Sequence, residues 1–102
     1  MTGKSKRKGN SFEYEIVNKA KAFGIDAVRA FSSDGRAMGE AKEVDVVIGS
    51  ARIQAKRRKK LPEYLKIDDG VDAVVFREDR GETYVLVRFD KVLKLIKEGA
   101  WK

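Results

Sequence analysis

Asp45, Gln54 and Lys56 are the residues whose types and spacing could do chemistry, and Glu13 is a further acidic candidate. The sequence has no cysteine and no histidine, which excludes disulfides, thiolate zinc sites and every triad that uses imidazole as its base. Chemistry in this chain must therefore use carboxylates, amides, hydroxyls and lysine. Asp45 is the strongest candidate, because aspartate is disfavoured in strands and a buried carboxylate without a partner is costly.

A predicted hairpin over residues 43–56 would bring these groups together. Apolar and polar residues alternate on both sides of a Gly-Ser turn, so one face of the hairpin is apolar and the other is polar. A two-residue turn places Asp45 opposite Gln54 and Glu43 opposite Lys56. Asp45 and Lys56 then lie on a diagonal, about 7 to 8 Å apart. The polar face of this hairpin is the predicted site.

The periodicity of the apolar residues predicts the elements that position the hairpin. A first helix starts at Asn10 and ends at Gly24, and a last helix starts at Asp90 and ends at Gly99. We further expect strands over residues 25–31, 71–76 and 83–89, a loop over 32–42, and a short helix over 63–65. The apolar run at 71–76 favours a central strand covered on both faces. The order predicts a single layered α/β domain with a mixed central β-sheet flanked by helices.

Composition and charge limit the class of protein. The chain has 102 residues, of which 42% are hydrophobic, enough for one compact core, so we predict one domain over residues 10–102. Residues 1–9 carry four basic residues and no acidic one, which predicts a flexible basic N-terminal arm. The formal net charge of +7 favours nucleic acid as the partner. With no long apolar run, we expect a cytoplasmic protein (in the host cytoplasm if a virus encodes it) without membrane contact.

Three of these acidic and amide candidates have plainer interpretations. Glu13 stands three residues after Asn10, which is also the spacing of a structural capping box. A Gln-x-Lys tripeptide is a weak signal on its own, and it gains weight only by facing Asp45. Glu43 could be a further ligand or the ion-pair partner of Lys56, and the ion pair is favoured.

Several short motifs follow one another between about residues 7 and 60. They are Arg7-Lys8-Gly9 followed by Glu13, the strand at Val28-Arg29, the loop Ser32-Ser33-Asp34-Gly35, and the segments Val44-Asp45-Val46-Val47 and Ile53-Gln54-Ala55-Lys56. In this order and spacing they resemble the archaeal Holliday-junction resolvases and their phage relatives, which belong to the PD-(D/E)XK nuclease superfamily. The strands and helix that follow residue 60 fit that family only in a general way.

The resemblance implies a restriction-endonuclease-like core in a homodimeric endonuclease of DNA recombination and repair, which cuts four-way junctions by paired phosphodiester hydrolysis. It assigns Glu13, Asp45 and Gln54 as ligands of Mg²⁺, with Mn²⁺ as an alternative metal. It assigns Lys56 to activation or orientation of the attacking water. Gln54 departs from the acidic residue of the family. Because an amide oxygen carries no charge, metal binding should be weaker and depend more on Asp45 and Glu13.

The resemblance also implies a serine near the scissile phosphate, and the charge of the sequence favours a basic DNA-binding surface. Ser32 and Ser33 are both candidates for the serine. Between Arg52 and Lys60, six residues in nine are positive, which favours phosphate contacts over an ordinary solvated face. The predicted DNA-binding residues are Lys6, Arg7, Lys8, Arg29, Arg36, Arg52, Arg57, Arg58, Lys59 and Lys60.

Two other functions stay open at this point. The first is another PD-(D/E)XK nuclease, a restriction, repair or nicking enzyme that acts on duplex or flap DNA. The second is a non-catalytic basic nucleic-acid-binding protein, for which the net charge of +7 would suffice. That protein would be indifferent to Asp45 and to Mg²⁺.

Overall fold

The computed structural model describes the backbone of residues 2–30 and 35–101, and the side chains of residues 11–30, 35, 36 and 39–101. Within these ranges the chain is a mixed α/β protein with two helices and two antiparallel sheets, which confirms the predicted class. Its contacts divide it into two units. The first comprises Met1–Arg57 and Leu93–Lys102, and the second comprises Arg58–Val92.

Helix α1 of the first unit covers Thr2–Ala22. It ends before Gly24, whose φ of 83° supplies the left-handed turn that the sequence predicts there. The helix begins well before Asn10, where the sequence analysis placed its start. Lysine and arginine favour helix, and they supply much of this first stretch. The division into a basic arm and a nuclease domain therefore does not coincide with a change of backbone conformation. Among the described side chains of α1, the buried apolar ones are Ile16, Val17 and Ala20.

The first unit contains a three-stranded antiparallel sheet with the order β1-β2-β3. The strands are β1 (Ala27–Arg29), β2 (Val46–Ile48) and β3 (Ala51–Ile53). The register of β2 and β3 pairs Val46 with Ile53 and Ile48 with Ala51, as expected for a two-residue turn. Val46, Ile48 and Ala51 have no exposed surface and form the centre of the core.

The β2–β3 turn lies at one end of this sheet. Arg29 pairs with Val46, and Val46 pairs with Ile53. Because neighbouring strands are antiparallel, the last residue of β1, the first residue of β2 and the last residue of β3 lie at the same end. We call the end opposite the β2–β3 turn, defined by Arg29, Val46 and Ile53, the open end of the sheet.

The described part of the connection between β1 and β2 is folded back on itself. A 3-10 helix covers Gly35–Met38, and the backbone N–H of Glu40 donates to the carbonyl of Gly35 at 2.9 Å. Gly35 is buried, and a Cβ at this position would collide with the carbonyl oxygen of Ala41 and lie 2.9 Å from Cβ of Val44. Residues 35–42 of the predicted loop therefore form a tight segment that leads directly into β2.

Helix α2 covers Phe89–Lys97, close to its predicted bounds. Leu93 is fully buried, and the helix is followed by Gly99 with a φ of 79°, as predicted. A Cβ on Gly49 would lie 3.3 Å from Cγ2 of Ile96, so the last turn of α2 packs beside the β2–β3 turn. No helix in residues 2–30 and 35–101 is long and apolar enough to cross a membrane.

The second unit contains a two-stranded antiparallel sheet of β4 (Ala73–Phe76) and β5 (Tyr84–Val87). The predicted short helix is a 3-10 helix over Glu63–Leu65. The prediction that β4 is covered on both faces is wrong, because Val75 is 66% exposed and its cross-strand partner Val85 is 60% exposed.

The five strands of the described chain form two separate antiparallel sheets instead of the single mixed sheet that the sequence analysis predicted. A parallel strand needs a crossover connection of about a dozen residues or more, usually with a helix. Between β3 and β4 the chain has only a three-residue 3-10 helix. A tight turn, in which the N–H of Gly81 donates to the carbonyl of Glu78, joins β4 to β5, so these strands pair with each other.

Candidate functional site

The carboxylate of Asp45 is fixed at the open end of the sheet. Its Oδ2 accepts a hydrogen bond from the backbone N–H of Ala55 at 2.7 Å. Its own backbone N–H donates to the carbonyl of Ile53, and its carbonyl accepts from the N–H of Ala30, both at 2.8 Å. Hydrogen bonds to the ends of both neighbouring strands, β1 and β3, thus hold Asp45 in place. The structure brings its carboxylate to the Gln-Ala-Lys tripeptide, of which Ala55 is the middle residue.

The pairing of β2 with β3 shifts by one residue at Asp45. Val46 pairs with Ile53 in the ladder, yet the N–H of Asp45 also donates to the carbonyl of Ile53. Two consecutive residues therefore oppose one, as in a β-bulge. An uninterrupted ladder would pair Asp45 with Gln54 and Glu43 with Lys56. Neither pair is part of the observed ladder. The cause is that the Asp45 side chain takes the N–H of Ala55.

Gln54 and Lys56 are exposed on either side of Ala55, while Asp45 is half-buried. Within the described chain no ion pair joins Glu43 to Lys56, so the favoured interpretation of Glu43 is wrong. The site therefore offers one anchored carboxylate, one accessible amide oxygen and one accessible ammonium group.

The chemistry of these groups fits a magnesium ion. Mg²⁺ is usually held by one or two carboxylates, and it keeps several waters and takes oxygens from the phosphate of the substrate. Asp45 can supply the carboxylate, and Gln54 can supply a neutral oxygen. Among the described residues no group of three or more acidic side chains could hold a metal. A metal at Asp45 would thus depend on the amide, water and phosphate for its remaining ligands.

Glu13, the other predicted ligand, lies in a different environment. Its side chain is 6% exposed, and its Oε1 accepts a hydrogen bond from Nε of Arg29 at 2.8 Å. The Arg29 guanidinium also lies over the ring of Tyr14, 4.9 Å from its centroid. Arg29 is the last residue of β1, so the pair stands at the open end of the sheet. The structure therefore joins a predicted metal ligand to a predicted DNA contact.

The other predicted DNA contacts that the structure describes are accessible. Arg36 is exposed, and so are Arg52 and the basic run Arg57–Lys60. Nη1 of Arg52 lies 3.8 Å from Oε1 of Glu40, a largely solvated pair that contributes at most about 1 kcal/mol. The remaining predicted site residues lie outside the described residues or side chains. They are Ser32 and Ser33, and the side chains of Lys6, Arg7 and Lys8.

Sequence reasoning missed Tyr14 and Glu40 as neighbours of the predicted arginines. Alternation along β1 places Ala27 and Arg29 on the same face, and helix α1 contacts β1, so an arginine directed toward α1 was predictable in principle. Its partner on the helix was not, because the sequence does not determine how the helix is rotated. Glu40 belongs to a segment that carried no periodic signal.

The fold and the site together define a small α/β nuclease-like domain, with a carboxylate held against a Gln-x-Lys segment at the end of a sheet. A family model described as archaeal Holliday junction resolvase (hjc) matches residues 4–100. The chain therefore belongs to the archaeal Holliday junction resolvase family, which confirms the resemblance seen in its motifs. Membership makes it a nuclease of DNA recombination and repair. No curated protein and no solved structure matches the chain.

Proposed function

We propose that this chain is a metal-dependent, structure-selective endonuclease that resolves four-way DNA junctions by paired phosphodiester hydrolysis. The observation that carries the proposal is the anchored carboxylate of Asp45, whose Oδ2 lies 2.7 Å from the N–H of Ala55. This bond supports the proposal because Ala55 stands between Gln54 and Lys56, both of which are exposed. The family supports the substrate class, since its members are described as Holliday junction resolvases. We expect the protein to act on DNA in the cytoplasm.

In this proposal Asp45 and Gln54 hold Mg²⁺, or Mn²⁺ in its place. A divalent metal bound there would stabilise the charge that gathers on the phosphate and lower the pKa of the attacking water. Asp45 does not have to reorganise, because the hydrogen bond from Ala55 fixes its carboxylate before substrate arrives. Lys56 presents its ammonium group to the same phosphate. Glu13 has a different partner, because its carboxylate is engaged by Arg29.

The exposed basic residues supply the binding energy for a polyanion. Each phosphate that lysine or arginine neutralises releases counterions, so junction binding should weaken steeply with salt. A homodimer would bring two active sites to two strands of one junction, which accounts for paired cuts. Sedimentation of the free protein and of its junction complex tests this stoichiometry.

A cleavage assay on a panel of DNA substrates tests the function. Labelled four-way junction, flap and linear duplex are incubated with the protein, with and without Mg²⁺. We expect paired nicks near the branch point of the junction, and only with the metal. Asp45→Asn should abolish cutting but still bind the junction in Ca²⁺. Asp26→Asn is a matched control, because Asp26 is an exposed aspartate beside the β2–β3 turn, at the other end of the sheet.

Other outcomes would replace this proposal with a specific alternative. Preferential cutting of flap or linear duplex would indicate a restriction, repair or nicking enzyme of the same superfamily. Salt-sensitive binding without metal-dependent cutting of any substrate would indicate a non-catalytic DNA-binding protein. Undiminished cutting by Asp45→Asn would show that the active site lies elsewhere.

A further inference from the structure

Glu13 is the one buried charged residue among those whose burial the structure describes, with 5% of its surface exposed. Mg²⁺ gives up its waters reluctantly and usually keeps several of them when it binds a protein. A carboxylate buried to this degree and bonded to a guanidinium is a poor partner for such an ion. A metal on Glu13 would also repel the positive charge of Arg29, whose Nε lies 2.8 Å from the carboxylate.

Arg29 is placed where a phosphate contact is needed. It ends β1, and the next residue, Ala30, donates its backbone N–H to the carbonyl of Asp45 at 2.8 Å. The main chains that carry Arg29 and the proposed metal ligand are therefore adjacent. A guanidinium has five N–H donors in a planar fork that matches the geometry of phosphate.

Two residues of α1 restrain this guanidinium. Glu13 accepts from Nε, and the ring of Tyr14 lies 4.9 Å from the guanidinium carbon. An arginine held by a charge-assisted bond and an aromatic face loses less side-chain entropy when it binds a ligand. Glu13 and Tyr14 are consecutive, so one turn of helix fixes both contacts.

We propose that Glu13 is a positioning residue: with Tyr14 it holds Arg29 at the open end of the sheet for contact with a DNA phosphate, and it does not bind the metal ion. The proposal rests on the nuclease function above and changes the role of one predicted ligand. It leaves Asp45 as the charged ligand of the metal.

Junction binding in EDTA distinguishes a metal ligand from a positioning residue at Glu13, because replacing Glu13 should change the junction affinity in opposite directions in the two cases. No metal is present, so a residue that only ligates metal cannot help binding, and its removal deletes a repulsive negative charge. A positioning residue behaves in the opposite way. We expect Glu13→Gln to weaken junction binding roughly tenfold, as Arg29→Met does, and each should lower the slope of log affinity against log salt by about one. Glu15→Gln, an exposed glutamate on the same helix, is the control and should bind at least as tightly as the parent.

Two further variants keep the test decisive if Glu13→Gln is unstable. Tyr14 is 55% exposed, so Tyr14→Leu should fold, and it should weaken binding by a smaller factor than Arg29→Met. In Glu13→Leu/Arg29→Met both charges are replaced by apolar groups, an exchange that buried ion pairs often tolerate. This double variant should bind the junction no more weakly than Arg29→Met alone.

Mn²⁺ binding to the DNA-free protein, followed by electron paramagnetic resonance, gives a second readout. The double variant should keep an Mn²⁺ affinity within about twofold of that of the parent. Loss of a true ligand should lower it at least roughly tenfold, because replacing a residue that only supports a ligand already has an effect of that size.

The proposal is overturned if Glu13→Gln binds the junction in EDTA as tightly as the parent, or if the double variant loses Mn²⁺ binding as Asp45→Asn should. It is also overturned if Arg29→Met binds like the parent. Failure of the nuclease function would appear elsewhere, as absence of metal-dependent cleavage by the parent chain.

Discussion

Gly35→Ala should be a severely destabilising substitution, although it adds only one methyl group. The new Cβ would collide with the carbonyl oxygen of Ala41, and it would lie 2.9 Å from both Cβ and the carbonyl oxygen of Val44. Two of these three atoms belong to the backbone, which cannot move aside as the end of a flexible side chain can. In the variant, the backbone at residue 35 must therefore move away from the segment that leads into β2.

The cost follows from the contacts that this separation disturbs. Overpacking a buried position by one carbon costs about 1–3 kcal/mol, and backbone obstacles favour the upper end. The shift also strains the bonds from the N–H of Glu40 to Gly35 and from the N–H of Val44 to Ala41, each with a net contribution of about 1 kcal/mol. The expected loss is roughly 3–5 kcal/mol, or a fall in Tm of roughly 12 °C or more for a domain of this size.

Calorimetric melting of Gly35→Ala and of a matched control measures this loss. Gly39→Ala is the control, because a Cβ there meets no atom within 4 Å and the only penalty is its φ of 77°, at about 1–2 kcal/mol. Gly35→Ala should therefore melt well below Gly39→Ala. If the two variants melt together, the tight packing around Gly35 is not a source of stability and the reasoning is refuted.

Three further substitutions test the anchor, the metal site and the core. Asp45→Ala should lower the free energy of unfolding measured in urea by about 1–3 kcal/mol, because the N–H of Ala55 loses its partner. Asp45→Asn retains an acceptor and should be nearly neutral, and equal losses in the two variants would contradict the anchor. Gln54→Glu adds a charged ligand and should lower the Mg²⁺ concentration for half-maximal cleavage, and an unchanged value would exclude residue 54 from the metal. Leu93→Ala should cost about 2–5 kcal/mol in the same unfolding assay, because Leu93 is fully buried; a neutral result would place α2 outside the core.

The elements that local signals determine were predictable from the sequence. Gly24 and Gly99 mark the ends of the two helices, because both adopt the left-handed backbone that glycine favours. The register of the β2–β3 hairpin followed from the alternation of apolar residues and the length of its turn, since a slip of one residue would expose Val46 and Ile48.

The details that depend on tertiary contacts were not predictable. The shift of pairing at Asp45 arises because its carboxylate competes for the N–H of Ala55, and hydrophobic alternation carries no information about that competition. The pair of Glu13 with Arg29 depends on how α1 is rotated over β1. The apolar run at β4 indicated a buried strand, but it did not indicate which element would pair with that strand or cover it.

The anchor of Asp45 is a main-chain donor, and this has a consequence for how the site can change over evolution. Every amino acid except proline carries that N–H, so the middle residue of the tripeptide is free to vary within the space around it, while proline alone is forbidden. By the alternation of the hairpin, the side chain of this middle residue belongs to the face opposite Gln54 and Lys56, so a mutation there changes the packing behind the site without removing the bond that holds the acid. The packing behind the reacting groups can therefore change while the carboxylate keeps its position.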